Sequence, residues 1–121
     1  MAKYKQNHIT PNDHRWVRNH PMSSAVRVGE LLFISGQVSA DANLKPLALG
    51  NVEAQARNAF SQIKLLVSEA GGSMDDIVDI MSFHTDVRDM DTVFSVGKKV
   101  FKKNFPAWTA LGMTALTTRD F

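Results

Sequence analysis

Ala25-Val26-Arg27-Val28-Gly29-Glu30-Leu31-Leu32-Phe33-Ile34-Ser35-Gly36-Gln37 is the stretch on which the fold turns. Two β-type runs, Ser24–Val28 and Leu31–Gln37, flank the pair Gly29-Glu30. Glycine first in a two-residue loop predicts a hairpin with a type II′ turn. The second run does not alternate: Leu31-Leu32-Phe33-Ile34 is apolar throughout, the pattern of a strand buried on both faces.

Downstream, Ser39–Gly50 reads as a loop punctuated by Asp41, Asn43, Pro46 and Gly50. Asn51 then caps an expected helix running to Ala70. Val52, Ala56, Ala59, Ile63, Leu66 and Ala70 recur at alternating intervals of four and three, which makes one stripe, widened by Phe60 and Val67. Gly71-Gly72 ends it. Ile77–Val87 is a strand with Met81 and Phe83 on one face and Ile80, Ser82 and His84 on the other. A second helix is expected from Asp89 to Lys103, with Met90, Val93, Phe94, Gly97, Val100 and Phe101 facing inward. Acidic Asp89 and Asp91 open it and Lys102 and Lys103 close it, as the helix dipole favours. Pro106 marks its exit, and Ala107–Thr114 is a further strand.

Upstream, residues 1–20 are polar and without a period, and read as a solvated N-terminal arm before one domain over 21–121. A short strand is expected near His14–Arg18, anchored by Trp16. The order β-β-α-β-α-β is that of an α+β domain with two helices on one face of an antiparallel-rich sheet. Two helices leave the other face of Leu31–Ile34 bare, so a second subunit is expected to cover it.

A chain of 121 residues suits one domain with one core. Apolar residues at 44% and charged residues at 21% are globular values, which excludes a disordered chain. No run of about 18 apolar residues suggests a membrane span. The start, Met1-Ala2-Lys3-Tyr4-Lys5-Gln6, has no apolar stretch of a secretory signal, so a cytoplasmic protein is expected. With no cysteine there is no disulfide, thiolate nucleophile or cysteine-bound metal. A net charge of +2 is too small to imply nucleic acid, although Lys3, Lys5, Arg15, Arg18 and Arg27 crowd the N-terminal quarter with His8, His14 and His20.

His14 and His20 lack the short spacing of a zinc pair. His84, beside Ser82 and Asp86, reads either as a general base or substrate donor in a seam between subunits, or as a structural histidine hydrogen-bonded there. Gly36 in Ser35-Gly36-Gln37 lets a ligand or another backbone approach, or marks a bulge. Asp75-Asp76 reads as a surface turn. Ser35 has no triad partner, and no phosphate loop or dinucleotide fingerprint is present.

Together these segments resemble the Rid family, the YjgF-like enamine/imine deaminases. The hairpin 25–37 resembles its opening signature. Gln55, Glu69-Ala70-Gly71-Gly72, Met74-Asp75-Asp76-Ile77-Val78, Phe83-His84-Thr85-Asp86 and Phe105-Pro106-Ala107 follow in the family's order. The resemblance covers about residues 21–121. It implies a chorismate-mutase-like fold and a homotrimer with a central barrel and three clefts between subunits. It also implies hydrolysis of 2-aminoacrylate-type enamines or imines to 2-keto acids and ammonia, without metal or organic cofactor.

Some pocket positions of the family differ here. Trp108 stands where the family has an arginine clamping the substrate carboxylate, Met22 where it has a tyrosine, Phe94 an asparagine, and Ala110 often a cysteine. Arg15, Arg18, Arg27 or Arg119 would replace the missing cation if one of them reached the cleft. The family's last strand, which usually carries a water-positioning glutamate, would begin near or beyond Phe121. Each readable change makes the pocket more apolar, which points either to a flatter, more apolar small organic ligand stacking on Trp108 or to an indole that simply fills the cleft and closes it. The site is expected between subunits, lined by Ser35, Gly36, His84, Phe94 and Trp108. Three functions follow in order: an imine/enamine hydrolase of altered substrate, a non-catalytic small-molecule binding or regulatory module, and an endoribonuclease.

Overall fold

The computed structural model describes residues 4–117 and 121; the expectations for Lys3 and Arg119 lie outside the described residues. Seven regular elements follow one another: β1 (Gln6–Ile9), β2 (Ala25–Val28), β3 (Leu31–Ile34), α1 (Val52–Glu69), β4 (Asp79–His84), α2 (Met90–Val100) and β5 (Ala107–Gly112). Among the described residues the strands make an antiparallel sheet ordered β1-β2-β3 and a parallel pair β4-β5. The pair is parallel because α2 carries the chain back between its strands.

The decisive hairpin forms as expected. Val28 pairs with Leu31, and Gly29 alone takes a positive φ, +59°, while Glu30 does not. That is the requirement of a II′ turn rather than I′. Asn51 caps α1 by accepting from Ala54 N at 3.0 Å. At the other end Gly71 adopts φ +87° and the Gly72 amide returns to Val67 O at 2.9 Å. Arg27 reaches from β2 to donate to Ala70 O at 2.9 Å, a cation placed on the negative end of α1. Asp76 accepts from Ser73 N at 2.8 Å, so Asp75-Asp76 is the surface turn the sequence suggests.

The core lies between the helices and the β4-β5 pair. Ala56, Phe60, Val96 and Phe101 are buried at its centre, with Ile80, Val93 and Trp108 packed against them. The opposite side of the strands is bare. Leu31 is 63% exposed, Phe33 60% and Met81 60%, with Phe83 and Leu111 also exposed. The uniformly apolar strand therefore divides by the two-residue period: Leu32 and Ile34 turn inward, Leu31 and Phe33 outward. Among the described residues no helix is long and apolar enough to cross a membrane.

The N-terminal expectation is corrected. The strand near His14–Arg18 does not form; Asn12–Asn19 is a tight 3-10 turn kinked at His14. His14 and Val17 are both 2% exposed and sit three apart, the period of that helix rather than a strand. The anchors are these two, not Trp16, which is half-buried. Nor is the segment a solvated arm, since β1 pairs along β2 from Gln6↔Val28 to Ile9↔Ala25. His14 Nδ1 lies 2.7 Å from Ser24 Oγ and Nε2 2.7 Å from Gln62 Oε1, which ties the segment to β2 and α1. Gln62 Oε1 can only accept, so Nε2 carries the proton and Ser24 donates to Nδ1.

His14→Ala strands the buried Ser24 hydroxyl without its acceptor. It should cost roughly 2 kcal/mol in urea melts, and amides of residues 6–19 should exchange faster than those of α1. Unchanged exchange there would mean that β1 alone holds the segment.

Candidate functional site

Parallel pairing sets the geometry. Ile80 lies opposite Trp108, Ser82 opposite Ala110 and His84 opposite Gly112, and paired residues share a face. That face is the helical one, so Ser82, His84 and Trp108 point into the subunit. Trp108 Nε1 donates to Ser82 Oγ at 2.8 Å, and Ser82 Oγ lies 2.7 Å from His84 Nε2. A hydroxyl has one hydrogen to give. It also has two lone pairs, so Ser82 can accept from both the indole and an Nε2–H, or accept from the indole and donate to a bare Nε2; the relay fixes the position of the ring and not its tautomer.

His84 is 7% exposed, and Nδ1 has no hydrogen bond among the described residues. Yet among those residues no fully buried side-chain nitrogen or oxygen lacks a partner. Nδ1 therefore reaches solvent. Burial holds the His84 pKa below its ordinary 6.5, against a smaller opposing pull from the Asp89 charge. The result is an imidazole pinned at Nε2 by Ser82, held toward its neutral form by burial, with Nδ1 turned to solvent.

Trp108 is enclosed by rings. Phe94 meets it edge-on at 5.1 Å, Phe60 at 6.0 Å and Phe101 at 6.5 Å between centroids. Beneath it lies Gly97 of α2, where an added Cβ would come within 2.7 Å of Trp108 Cζ3. The half-buried indole is packed against rings of its own subunit rather than standing free of them.

The structure thus brings together three of the five expected site residues: Ser82 joins His84 to Trp108, and Phe94 packs on the Trp108 ring. Ser35 and Gly36 have no hydrogen bond or ring contact to that cluster. Ser35 Oγ donates to Ser23 O at 2.6 Å, extending the hairpin, and Gly36 is exposed with nothing within 4 Å of an added Cβ. Ser82 and Gly97 escaped the sequence reading as site residues. The signal for Ser82 was its place two residues before His84 on one face; for Gly97 it was a glycine in the inner stripe of α2.

Of the four cations the sequence offered, two are engaged elsewhere, Arg15 donates no side-chain hydrogen bond among the described residues, and Arg119 lies outside them. Arg27 caps α1 and Arg18 donates to Asn12 Oδ1 at 3.0 Å. His20 bonds Trp16 O at 2.8 Å, and His14 is enclosed by Ser24 and Gln62, so the two do not form a metal pair.

A parallel pair sealed by a helix on one face, with a wet histidine at its carboxyl end, defines a small α+β domain of the chorismate-mutase-like kind. The sequence model of the Endoribonuclease L-PSP family matches residues 13–121, and the chain belongs to that family, the Rid or YjgF-like proteins. It is 36% identical over 110 residues to the RutC family protein YjgH of Escherichia coli K12, covering 89% of this chain and 82% of that one. It is 33% identical over 96 residues to a human protein named 2-iminobutanoate/2-iminopropanoate deaminase, covering 79% and 70%. The solved structure of YjgH superposes with a TM-score of 0.83 over 93% of this chain and 87% of its own, at 34% identity.

Two outcomes follow from the site. Gly97→Ala gains about 1 kcal/mol of helix propensity but drives a methyl into a ring that cannot move aside, for a net loss of roughly 1–2 kcal/mol. In a Trp108→Leu background the same substitution should be neutral or stabilising, and an equal loss in both backgrounds would dismiss the contact. For His84 the pKa is lower in the folded chain. Above about pH 6.5 both states are neutral and its contribution is complete; as pH falls from there through the folded pKa, the unfolded chain takes the proton first and stability is lost. Urea melts should show wild type losing stability more steeply than His84→Gln below pH 6.5. Parallel profiles would mean that His84 titrates alike in both states.

Proposed function

We propose that the chain is an imine/enamine hydrolase acting at clefts between three copies of itself, with a substrate preference moved away from amino-acid-derived carboxylates. The observation that carries this reading is His84 Nδ1, which reaches solvent from a ring pinned by Ser82 and, in the tautomer with its proton there, is a hydrogen-bond donor. Such a donor suits the imine nitrogen. Water adds to the carbon of the C=NH group, the C–N bond breaks, and the products are the matching carbonyl compound and ammonia. Both protons of the water pass to the nitrogen, so the step asks for a hydrogen-bond donor that polarises the C=NH group and for a placed water, and no cofactor enters it. Support for the class comes from relatives named 2-iminobutanoate/2-iminopropanoate deaminase at 30% and 33% identity.

The altered preference rests on Trp108. An unpaired carboxylate beside Phe94 and Trp108 would cost several kcal/mol, roughly the penalty of a desolvated, uncompensated charge. An apolar or aromatic imine meets no such penalty. Support for the trimer is the bare strand face, where Leu31, Phe33, Met81, Phe83 and Leu111 form an apolar surface that self-association would cover. A second reading, a non-catalytic small-molecule binding or regulatory module, draws on the enclosure of Trp108, which removes space from the cluster.

One set of measurements separates them. Light scattering should give the mass of three chains; a monomer would remove the seam on which either reading depends. Keto-acid release from enzymatically generated 2-iminobutanoate should be slow, while an N-unsubstituted aryl ketimine should be hydrolysed faster than in buffer. His84→Gln should lower that rate at least about tenfold without changing the trimer. No acceleration of either imine would overturn the hydrolase in favour of the binding module.

A further inference from the structure

Trp16 stands at a second surface feature, bordered by none of the residues of the Trp108 cluster. A groove of about 300 Å³ runs between the turn Asn12–Asn19 and the loop that follows Ala40. Arg15, Trp16, Asn19, His20, Asn43 and Leu44 line it. The volume is at the lower end of the range for small-molecule sites.

Its walls are fixed by backbone bonds and by the ring of His20. Trp16 N donates to Ala42 O at 3.1 Å, which joins the turn to the loop. Asp41 Oδ1 accepts from Asn43 N at 2.8 Å and Lys45 N at 2.9 Å, which sets the loop's curve. The His20 ring stands edge-on to Trp16 at 5.9 Å and is held by its bond to Trp16 O.

The other polar side chains of the lining are in contrast uncommitted. Among the described residues Arg18, Arg27, Arg57 and Arg88 each donate a side-chain hydrogen bond. Arg15 donates none; it feels the Asp41 charge without forming an ion pair. Neither the Trp16 indole N–H nor the carboxamides of Asn19 and Asn43 have a hydrogen-bond partner among the described residues. A guanidinium, an indole and two carboxamides around one groove, all unpaired, are complementary to a definite chemistry.

We propose that this groove binds a small planar ring bearing one anionic group, a carboxylate or a phosphate. The planar fork of Arg15 takes the anion by paired hydrogen bonds, Trp16 packs on the ring, and the two carboxamides meet polar atoms at the ring edge. The site is independent of the proposed hydrolase chemistry.

The test uses the whole protein and the two indole N–H signals of its nitrogen-15 spectrum, assigned with Trp16→Phe. Benzoate and adenosine 5′-monophosphate are titrated separately to about 10 mM, above the millimolar affinity of a weak site. At least one should shift the Trp16 signal to saturation and leave that of Trp108 in place. Arg15→Gln should weaken that binding about tenfold, the loss of a charge-assisted contact. Response to benzoate alone identifies a carboxylate ligand, to the nucleotide alone a phosphate ligand, and to both an anion read by the guanidinium. No Trp16 shift with either probe, a shift shared with Trp108, or equal affinity in Arg15→Gln would overturn the proposal.

Discussion

The indole of Trp108 lying across Gly97 is the contact on which the rest of the domain depends. It is the point where β5, α2 and β4 are joined at once: the strand supplies the ring, the helix removes a Cβ to admit it, and Ser82 of β4 accepts its N–H. Burial of a tryptophan supplies roughly several kcal/mol of hydrophobic stabilisation, and the edge-on phenylalanines add to it. An arginine could not occupy the same place. Its guanidinium would sit among Phe60, Phe94 and Phe101 with one hydroxyl to receive it, an uncompensated charge in an apolar enclosure. At this one position the chain has a packing residue where the family resemblance implies a binding one, and Gly97 and Phe94 are the neighbours that make the exchange possible.

How much of this was legible depended on the range of the forces involved. The hairpin, both helices and their stripes could be read because each is encoded over adjacent residues: a glycine in the turn, Asn51 before α1, apolar residues at three and four. The N-terminal segment could not. β1 is Gln-Asn-His-Ile, with three exposed residues and little apolar alternation, held by its backbone ladder to β2. His14 is satisfied in its buried place by Gln62, 48 residues away, whose carboxamide oxygen accepts a hydrogen bond from its ring. The residue types of the site were likewise visible, but not their orientation. Nothing local to Trp108 says that its ring turns inward, since that follows from Ser82 and Gly97 on two other elements.

Charge distribution explains why the remaining chemistry gathers at His84. The arginines nearest the resemblance's pocket in sequence are engaged on backbone or surface partners, as Arg27 is at Ala70 O and Arg88 at Asp86. Asp86, held by Arg88 at about pKa 2, is a solvated ion at the entry to α2 and has no proton to offer near neutral pH. His84 is held toward its neutral form by burial and anchored through Ser82. What such a group can do is offer one nitrogen in a fixed direction as a hydrogen-bond partner, which favours substrates that need no counter-ion.

The two faces of β4 connect this site to the bare side of the sheet. Ser82 and His84 face inward, while Met81 and Phe83 between and beside them face out. Because the period is two, a slip of one residue would exchange the faces, placing phenylalanine in the polar relay and histidine on the apolar surface. Register is fixed at both ends of the strand. Before it, Ser73 and Asp76 cap the turn and Ala107 N donates to Val78 O at 3.0 Å; after it, Met113 N donates to His84 O at 2.8 Å. The last of these bonds holds the backbone of His84 itself. The same alternation that lays Met81 and Phe83 on the outer surface therefore aims the imidazole inward, so a single register sets both the surface open to association and the ring nitrogen open to a ligand.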